Sequence, residues 1–331
     1  MKFIITDSYI FGFSIINEKY KYTHIFDLDD TLIKTNSGNK FPKNKDDWKI
    51  LNNLDFNVKK IYGIITNQKG LKTQLKINDW IEKIKNINNI LPISFIFASI
   101  SDDIYRKPNI GSIDIIKEKY ELKKTIYIGD ACGRINDFSD TDYKFAINCN
   151  FIFNTPETYF GLQQLDEPTI RYPILKYYKN INKYYNKIIN IINNNDKIII
   201  MLIGFPASGK TYLRNYLIDE CNELQYCNND EKIKLTIQNK YIVDNTNLHN
   251  RHEILEKFNN HFKLGIFFNY DLLVVKHLNY LRMTKDNVNP INKITYNILS
   301  KKFIKPKEDE FDKLIILKKL DINLMSDFYY F

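Results

Sequence analysis

The chain is short of cysteine. Its 331 residues include only Cys132, Cys149, Cys221 and Cys227, and no two form a Cys-x-x-Cys pair. That argues against a zinc ribbon or a disulfide framework and points to free thiols in a reducing compartment. Long apolar runs are missing as well. The longest, Ile198 to Phe205, falls well short of the ~20 residues needed to span a bilayer. The N-terminus meets Asp7 too early for a secretory signal. A soluble intracellular protein without membrane association is expected. No internal repeat is visible. His249 and His252 lack a third ligand, so a histidine metal site is rejected.

What is present is 44% hydrophobic, enough to fill real cores, and long enough for roughly two domains of ~150 residues. The net charge of +9 favours a polyanionic partner, most simply nucleic acid, although lysine also serves as a plain solvated surface residue. Ile, Asn, Lys and Tyr are abundant. AT-rich codons encode all four, so patches such as Asn193-Asn194-Asn195 are read as base-composition bias rather than as a prion-like signal. The 23 tyrosines could stack on bases, but the same bias accounts for most of them.

Periodicity organises the chain. Residues 1–20 alternate as in a hairpin or edge strand, and a core strand runs into Asp27. Ile61 to Ile65 reads as a buried strand ending at Thr66-Asn67-Gln68. Leu71 to Ile90 has helical spacing, with Leu71, Leu75, Trp80, Ile81 and Ile84 as its apolar stripe. Ile93 to Ala98 is a strand, Ile113 to Tyr120 a helix, and Thr125 to Ile128 a strand ending at Gly129-Asp130. Strands alternating with helices predict a parallel α/β sheet with its site at the strands' carboxyl ends. Pro168 and Pro173 then break the chain, and a helix is expected before Ile198 to Ile203 opens a second sheet. Further strands are expected at Tyr241–Asp244, 264–269 and 314–317.

The first candidate site is Asp27-Leu28-Asp29. Two acids two residues apart at a strand end can face one site. Asp27 can attack phosphorus to form an aspartyl-phosphate, and Asp29 can protonate the leaving oxygen and then activate water. Thr66 and Asn67 can hydrogen-bond phosphate oxygens, and Lys107 can supply a fixed cation. Asp130 can join Asp27 in holding Mg²⁺, with the backbone carbonyl of Asp29 as a third ligand. Alone, an Asp-x-Asp is usually an ordinary loop and a Lys-Pro a turn. The ordered set is what carries the reading.

The second site is Gly204-Phe205-Pro206-Ala207-Ser208-Gly209-Lys210-Thr211, which fits Gly-x-x-x-x-Gly-Lys-Ser/Thr between a strand and a helical stretch. Its backbone N–H groups would wrap nucleotide phosphates, Lys210 would reach the β- and γ-phosphates, and Thr211 would ligate Mg²⁺. Such a loop does not separate kinase from ATPase. Three features favour a kinase: Asp230 as acceptor of a hydroxyl proton, the polar run Asp244-Asn245-Thr246-Asn247 at a strand end, and Arg282 on a helical lid. Arg251 could bind substrate phosphate or be a surface residue.

The first set resembles the haloacid dehalogenase superfamily and, more narrowly, the polynucleotide kinase 3′-phosphatase family. The resemblance rests on Phe26-Asp27-Leu28-Asp29-Asp30-Thr31-Leu32, Ser37-Gly38, Phe41-Pro42, Asp47-Trp48, Thr66-Asn67-Gln68, Arg106-Lys107-Pro108, and Gly129-Asp130-Ala131-Cys132-Gly133-Arg134. Asp137-Phe138-Ser139, Asp142 and Thr155-Pro156-Glu157 continue it. Gly204 to Thr211, Asn229-Asp230, Asp244 to Asn247, His277 to Arg282 and the tail Tyr296 to Pro306 resemble the family's kinase part. Asp30 stands where the family usually has Gly and is expected to turn outward. Ser112-Ile113 replaces the family's Met-Trp, Asn229 its Arg, and Leu299 the Tyr of its Tyr-x-x-x-Phe-x-x-Pro ending.

The resemblance implies an α/β chain with a haloacid-dehalogenase-like Rossmannoid phosphatase domain over 1–165, a linker helix over 166–197 and a P-loop kinase domain with a parallel sheet over 198–331. It implies Mg²⁺ and ATP, and DNA ends bearing a 3′-phosphate or 5′-hydroxyl as substrates, during strand-break repair. RNA ends are an alternative, as are a non-catalytic end-binding protein and a fused metabolite kinase and phosphatase. The forkhead-associated domain found in many eukaryotic members has no room, so no phosphorylated scaffold is expected. A monomer is expected, acting in a nucleus or at a viral or cytoplasmic replication site.

Overall fold

The computed structural model describes residues 1–16, 19–54, 57, 59–162, 166–227, 239–286 and 288–321. The chain divides into two compact units, Met1–Pro173 and a second beginning at Ile174.

The first unit is a seven-stranded sheet. Its strands are β1 (Lys2–Ile5), β2 (Tyr9–Phe13), β3 (Tyr22–Phe26), β6 (Lys60–Asn67), β7 (Ile93–Ser99), β8 (Ile126–Ile128) and β9 (Ile152–Asn154), in the order β1-β2-β7-β6-β3-β8-β9. The antiparallel hairpin β1–β2 forms one edge, and β7, β6, β3, β8 and β9 run parallel. A two-residue pair, β4 (Ile33–Lys34) and β5 (Lys49–Ile50), flanks the loop after β3. The helices are α1 (Gln74–Asn88), α2 (Gly111–Lys117), α3 (Thr141–Asn148) and α4 (Pro156–Phe160).

Alternate residues of the central strands enter opposite core layers. Phe26, Ile64 and Ile96 pack in one layer, and Ile25, Ile65, Phe97 and Tyr127 in the other. Each such side chain contributes roughly 1.5–3 kcal/mol by burial, so a one-residue slip that exchanged the layers is strongly disfavoured. That register fixes which way Asp27 points. Its N–H donates to Ile128 O at 2.8 Å, extending the β3–β8 ladder by one residue before the chain turns away.

Helix α1 begins at Thr73, whose hydroxyl accepts from Lys76 N at 3.4 Å. It buries Trp80, Ile84 and Ile87 against the first layer. Leu75, expected on the apolar stripe, is exposed, and the buried face includes Lys83 instead.

The second unit holds β10 (Tyr178–Lys179), α5 (Asn182–Asn193), β11 (Ile198–Ile203), α6 (Lys210–Glu220), β12 (Gln225–Cys227), β13 (Lys240–Asp244), α7 (Arg251–Leu255), β14 (Phe262–Phe268), α8 (Leu272–Asp286), α9 (Lys293–Lys302), β15 (Lys313–Leu317) and β16 (Leu320–Asp321). Five strands form an all-parallel sheet in the order β12-β13-β11-β14-β15. Every residue of central β11 is buried, which is why it reads as one continuous apolar run. Ile198, Ile200 and Leu202 face one layer, and Ile199, Met201 and Ile203 the other. Helix α5 packs Tyr185, Ile188 and Ile192 into the first of these layers. Among the described residues no helix is long and apolar enough to cross a membrane.

Candidate active sites

In the first unit the chemistry gathers at the carboxyl ends of β3, β6 and β8. Asp27 follows β3, Thr66 and Asn67 end β6, and Asp130 is the second residue after β8. Lys107 comes from the segment between β7 and α2, and Asp142 from the first turn of α3. The Lys107 side chain is 2% exposed, and its Nζ donates to Asp27 Oδ1 (2.7 Å), Asp142 Oδ1 (2.8 Å) and Tyr127 Oη (2.6 Å). Tyr127 Oη in turn donates to Asp142 Oδ1 at 3.0 Å, and Asp142 Oδ2 accepts from Ala131 N at 3.1 Å. Gly129 allows this approach, because a Cβ there would lie 2.4 Å from Asp142 Oδ2. Asp130 Oδ1 accepts from Thr31 Oγ1 at 3.1 Å.

Carboxylate oxygens of Asp27, Asp130 and Asp142 lie within 4.8 Å of one another. Burial pushes Asp27 up to about 7, with Lys107 opposing and Asp142 and Asp29 adding to the rise. Burial pushes Asp130 up to about 8, helped by Asp142 and Asp27. Burial alone would lower Lys107, but Asp142 and Asp27 outweigh it and raise it. Three acids against one fixed cation leave an excess of negative charge in a buried oxygen-lined place. That donor set fits a hard divalent cation.

Asp29 behaves differently from Asp27. Its half-exposed carboxylate lies outside the three-acid cluster. Oδ2 accepts from Gln68 Nε2 at 2.7 Å, and Oδ1 lies 3.8 Å from Lys83 Nζ. Thr66 is buried at the strand end, and its hydroxyl oxygen accepts from Gln68 Nε2 at 3.1 Å. Asn67, expected on the phosphate, is engaged elsewhere. Its Oδ1 accepts from Lys107 N and its Nδ2 donates to Lys107 O, both at 3.0 Å. It therefore clamps the backbone that carries the lysine. Asp30 is exposed, in line with the expectation that it turns outward, and its φ of 59° is left-handed. Glycine takes that conformation freely, and Asp is among the few other residues that tolerate it.

In the second unit the Gly204–Thr211 loop joins β11 to α6. Gly209, at φ 90°, is the N-cap. Lys210 is buried, and its Nζ donates to Gly204 O (2.9 Å) and Phe205 O (2.8 Å), so it is folded onto its own loop. Burial lowers its pKa to about 8 against the pull of Asp244. A buried ammonium resting on neutral carbonyls at a helix N-terminus fits an anionic ligand such as a nucleotide phosphate. Thr211 Oγ1 donates to Asp244 Oδ2 at 2.8 Å, and Arg214 Nη1 donates to the same oxygen at 3.1 Å. The Arg214 guanidinium also lies over the Tyr226 ring, 4.4 Å from its centre. Asn247 Nδ2 donates to Leu202 O at 2.7 Å, tying the run after β13 to β11.

Arg282 sits on α8 with its Nε buried and without a hydrogen-bond partner among the described residues. It acts electrostatically on Tyr296, whose hydroxyl donates to Pro206 O of the loop at 3.2 Å. Arg251 is not a surface residue. It is buried, paired with Glu310 at 2.7 Å, and donates to the carbonyls of Asn247, Leu248 and Ile304. Asp230 lies outside the described residues.

The sequence did not single out Tyr127, Lys83 or Arg214, and it pointed to Asp244 and Asp142 without their partners Thr211 and Lys107. Asp244 had a signal, an acid ending a buried strand beside the loop. The first three had none that local pattern could supply.

Residues 23–160 match the family described as polynucleotide kinase 3 phosphatase. A protein of Acanthamoeba polyphaga mimivirus, named provisionally as a bifunctional polynucleotide phosphatase/kinase, is 30% identical, covering 95% of this chain and 89% of that one. The bifunctional polynucleotide phosphatase/kinase of Schizosaccharomyces pombe is 27% identical, covering 92% and 81%. A polynucleotide 3′-phosphatase of Saccharomyces cerevisiae is 27% identical and covers 41% of this chain and 86% of its own length.

Proposed function

The chain belongs to the family of bifunctional polynucleotide phosphatase/kinases, and from that membership we propose that it repairs broken DNA ends, removing 3′-phosphates and phosphorylating 5′-hydroxyls with ATP. We assign the first reaction to the unit Met1–Pro173 and the second to the unit beginning at Ile174. The observation that carries the reading is Lys107. One buried ammonium bonds Asp27 at the end of a parallel strand and Asp142 in the first turn of α3, beside a second acid, Asp29, that is held apart from them.

Asp27 is the nucleophile in this reading, and Lys107 neutralises charge on it and on the phosphoryl oxygens it approaches. Asp29 is free of the cluster, as a proton donor to the 3′-oxygen must be. Asn67 and Tyr127 act on the lysine, and Asp142 anchors it. Mg²⁺ held by Asp27 and Asp130 would supply further charge neutralisation at the phosphoryl group. In the second unit Lys210 and the loop N–H groups bind the ATP phosphates. Thr211 and Asp244 would supply oxygens for the accompanying Mg²⁺, Arg282 would neutralise the transferred charge, and Asp230 would accept the proton of the 5′-hydroxyl.

The test uses purified protein, a nick bearing a 3′-phosphate and one bearing a 5′-hydroxyl, in Mg²⁺ with and without ATP. Phosphate release should not need ATP, and 5′-labelling should. Binding without turnover on either nick refutes the enzyme reading. Faster turnover on matched RNA ends refutes DNA as the substrate.

A further inference from the structure

Lys83 has no place in the reaction as described, yet its side chain is only 8% exposed. Lysine is seldom buried unless it is paired, because its ammonium loses hydration that packing does not replace. The ion pair the structure gives it is with Asp29, Nζ to Oδ1 at 3.8 Å. Asp47 lies near enough to attract it as well.

The other oxygen of Asp29 is also held, by Gln68 Nε2 at 2.7 Å, and the same nitrogen donates to Thr66 Oγ1. Asp29 is thus restrained at both oxygens by groups outside the acid cluster, while Asp27 two residues earlier is committed to Lys107. Anchoring the 35–47 loop through Asp47 is a poor account of Lys83, because that loop is fastened without it. Asp47 accepts from Ser37 N (2.7 Å), Ser37 Oγ (2.7 Å) and Lys43 N (2.9 Å), and Lys45 pairs with Glu82 of α1 at 2.5 Å.

We propose that Lys83 and Gln68 are positioning residues that hold the Asp29 carboxyl away from the acid cluster and in place to exchange a proton with the leaving oxygen. This rests on reading Asp29 as the proton donor. In the first step an oxygen of Asp27 bonds to phosphorus, the bond from phosphorus to the 3′-oxygen breaks, and that oxygen takes its electron pair and the proton from Asp29. In the second step water bonds to phosphorus and gives its proton to Asp29, and the electron pair of the broken phosphorus–oxygen bond returns to Asp27. Between the steps Asp29 is an anion among anions. The Lys83 ammonium is the neighbour that stabilises it there and keeps it from turning toward Asp27 and Asp130.

A sugar alkoxide needs that proton to leave, whereas a nitrophenolate does not. The experiment therefore compares Lys83→Met and Gln68→Leu in the full chain by the first-turnover rate of leaving-group release. One substrate is a 3′-phosphorylated oligonucleotide and the other p-nitrophenyl phosphate, with Asp29→Ala as the reference. Asp29→Ala should lose about 10²–10⁴-fold on the oligonucleotide, and each positioning variant about 10–100-fold, with both nearly unchanged on the aryl ester. Gln68 is half-buried, so its variant carries the test if Lys83→Met fails to fold. Equal losses on both substrates, or no loss on either, with Asp29→Ala behaving as expected, overturn the positioning role alone. If Asp29→Ala itself shows no preference for the alkyl ester, the proton-donor reading falls and takes the proposal with it.

Discussion

Lys107→Met tests the electrostatics of the phosphatase site most directly. The substitution keeps the length of the side chain and removes the ammonium from between Asp27 and Asp142, which it now contacts at 2.7 and 2.8 Å. Breaking a buried pair on one side costs roughly 3–5 kcal/mol, because the remaining charge is left uncompensated. Here Asp27 has an escape. Burial already holds it up to about 7, so near neutral pH it takes a proton cheaply once the lysine is gone. The lower end of the range, ~3 kcal/mol, is therefore expected at neutral pH, and more in alkaline buffer. For a unit spanning Met1–Pro173 that is a fall in Tm of roughly 6–12 °C. Calorimetry in EDTA should show the loss in one transition, and added Mg²⁺ should recover much of it by neutralising the same acids. Phosphatase activity should fall at least ~100-fold, as when an oxyanion partner is deleted, while kinase activity persists. An unchanged transition in EDTA would refute the claim that Lys107 neutralises these carboxylates. Parallel loss of kinase activity would refute the assignment of the damage to the first unit.

Asp27→Asn should abolish phosphate release and spare 5′-phosphorylation, and Lys210→Ala should do the reverse; either change killing both activities in folded protein refutes the two-site assignment. Asp244→Asn should raise the Mg²⁺ needed for half-maximal kinase activity several-fold, since Thr211 and Arg214 both converge on that carboxylate, and a metal titration reads this. In metal-free protein, Asp27 and Asp130 are held up to about 7 and about 8 in the fold against 3.8 for the free side chain. The folded state thus binds more protons across that window, and urea melts in EDTA should show stability falling as pH rises from about 4 through about 8, with Mg²⁺ flattening the slope. Asp30→Gly should change stability by no more than about 1 kcal/mol, in the stabilising direction, because it relieves a left-handed φ of 59°. Phosphatase activity should be retained, and its loss would mean that the Asp30 carboxylate takes part.

Asp30 shows how a misfit in sequence becomes legible in three dimensions. As an extra acid close to Asp27 it looked like a charge problem. The backbone shows that the position requires a left-handed turn, which Asp tolerates and glycine prefers. Lys83 is the opposite case. On a helical wheel it is one lysine among many, and the apolar stripe drawn without it placed Leu75 inside. Only the packing of α1 against the sheet shows which lysine loses its water.

The sequence alone determined the strand-then-acid opening at Asp27 and the Gly204–Thr211 loop. Both are local: a strand end aims its next side chains, and a glycine-rich turn into a helix makes its own anion site from contiguous backbone. It also determined two parallel sheets, because buried strands such as β11 announce themselves as unbroken apolar runs. Tertiary structure decided how the acids divide their work. Asp27 and Asp29 are neighbours in the chain, yet one is locked to Lys107 and the other to Gln68 and Lys83. Those partners come from the segment between β7 and α2, from the residue after β6 and from helix α1, tens of residues away, brought together by the packing of the sheet and its helix. No pattern along the chain encodes which oxygen meets which nitrogen.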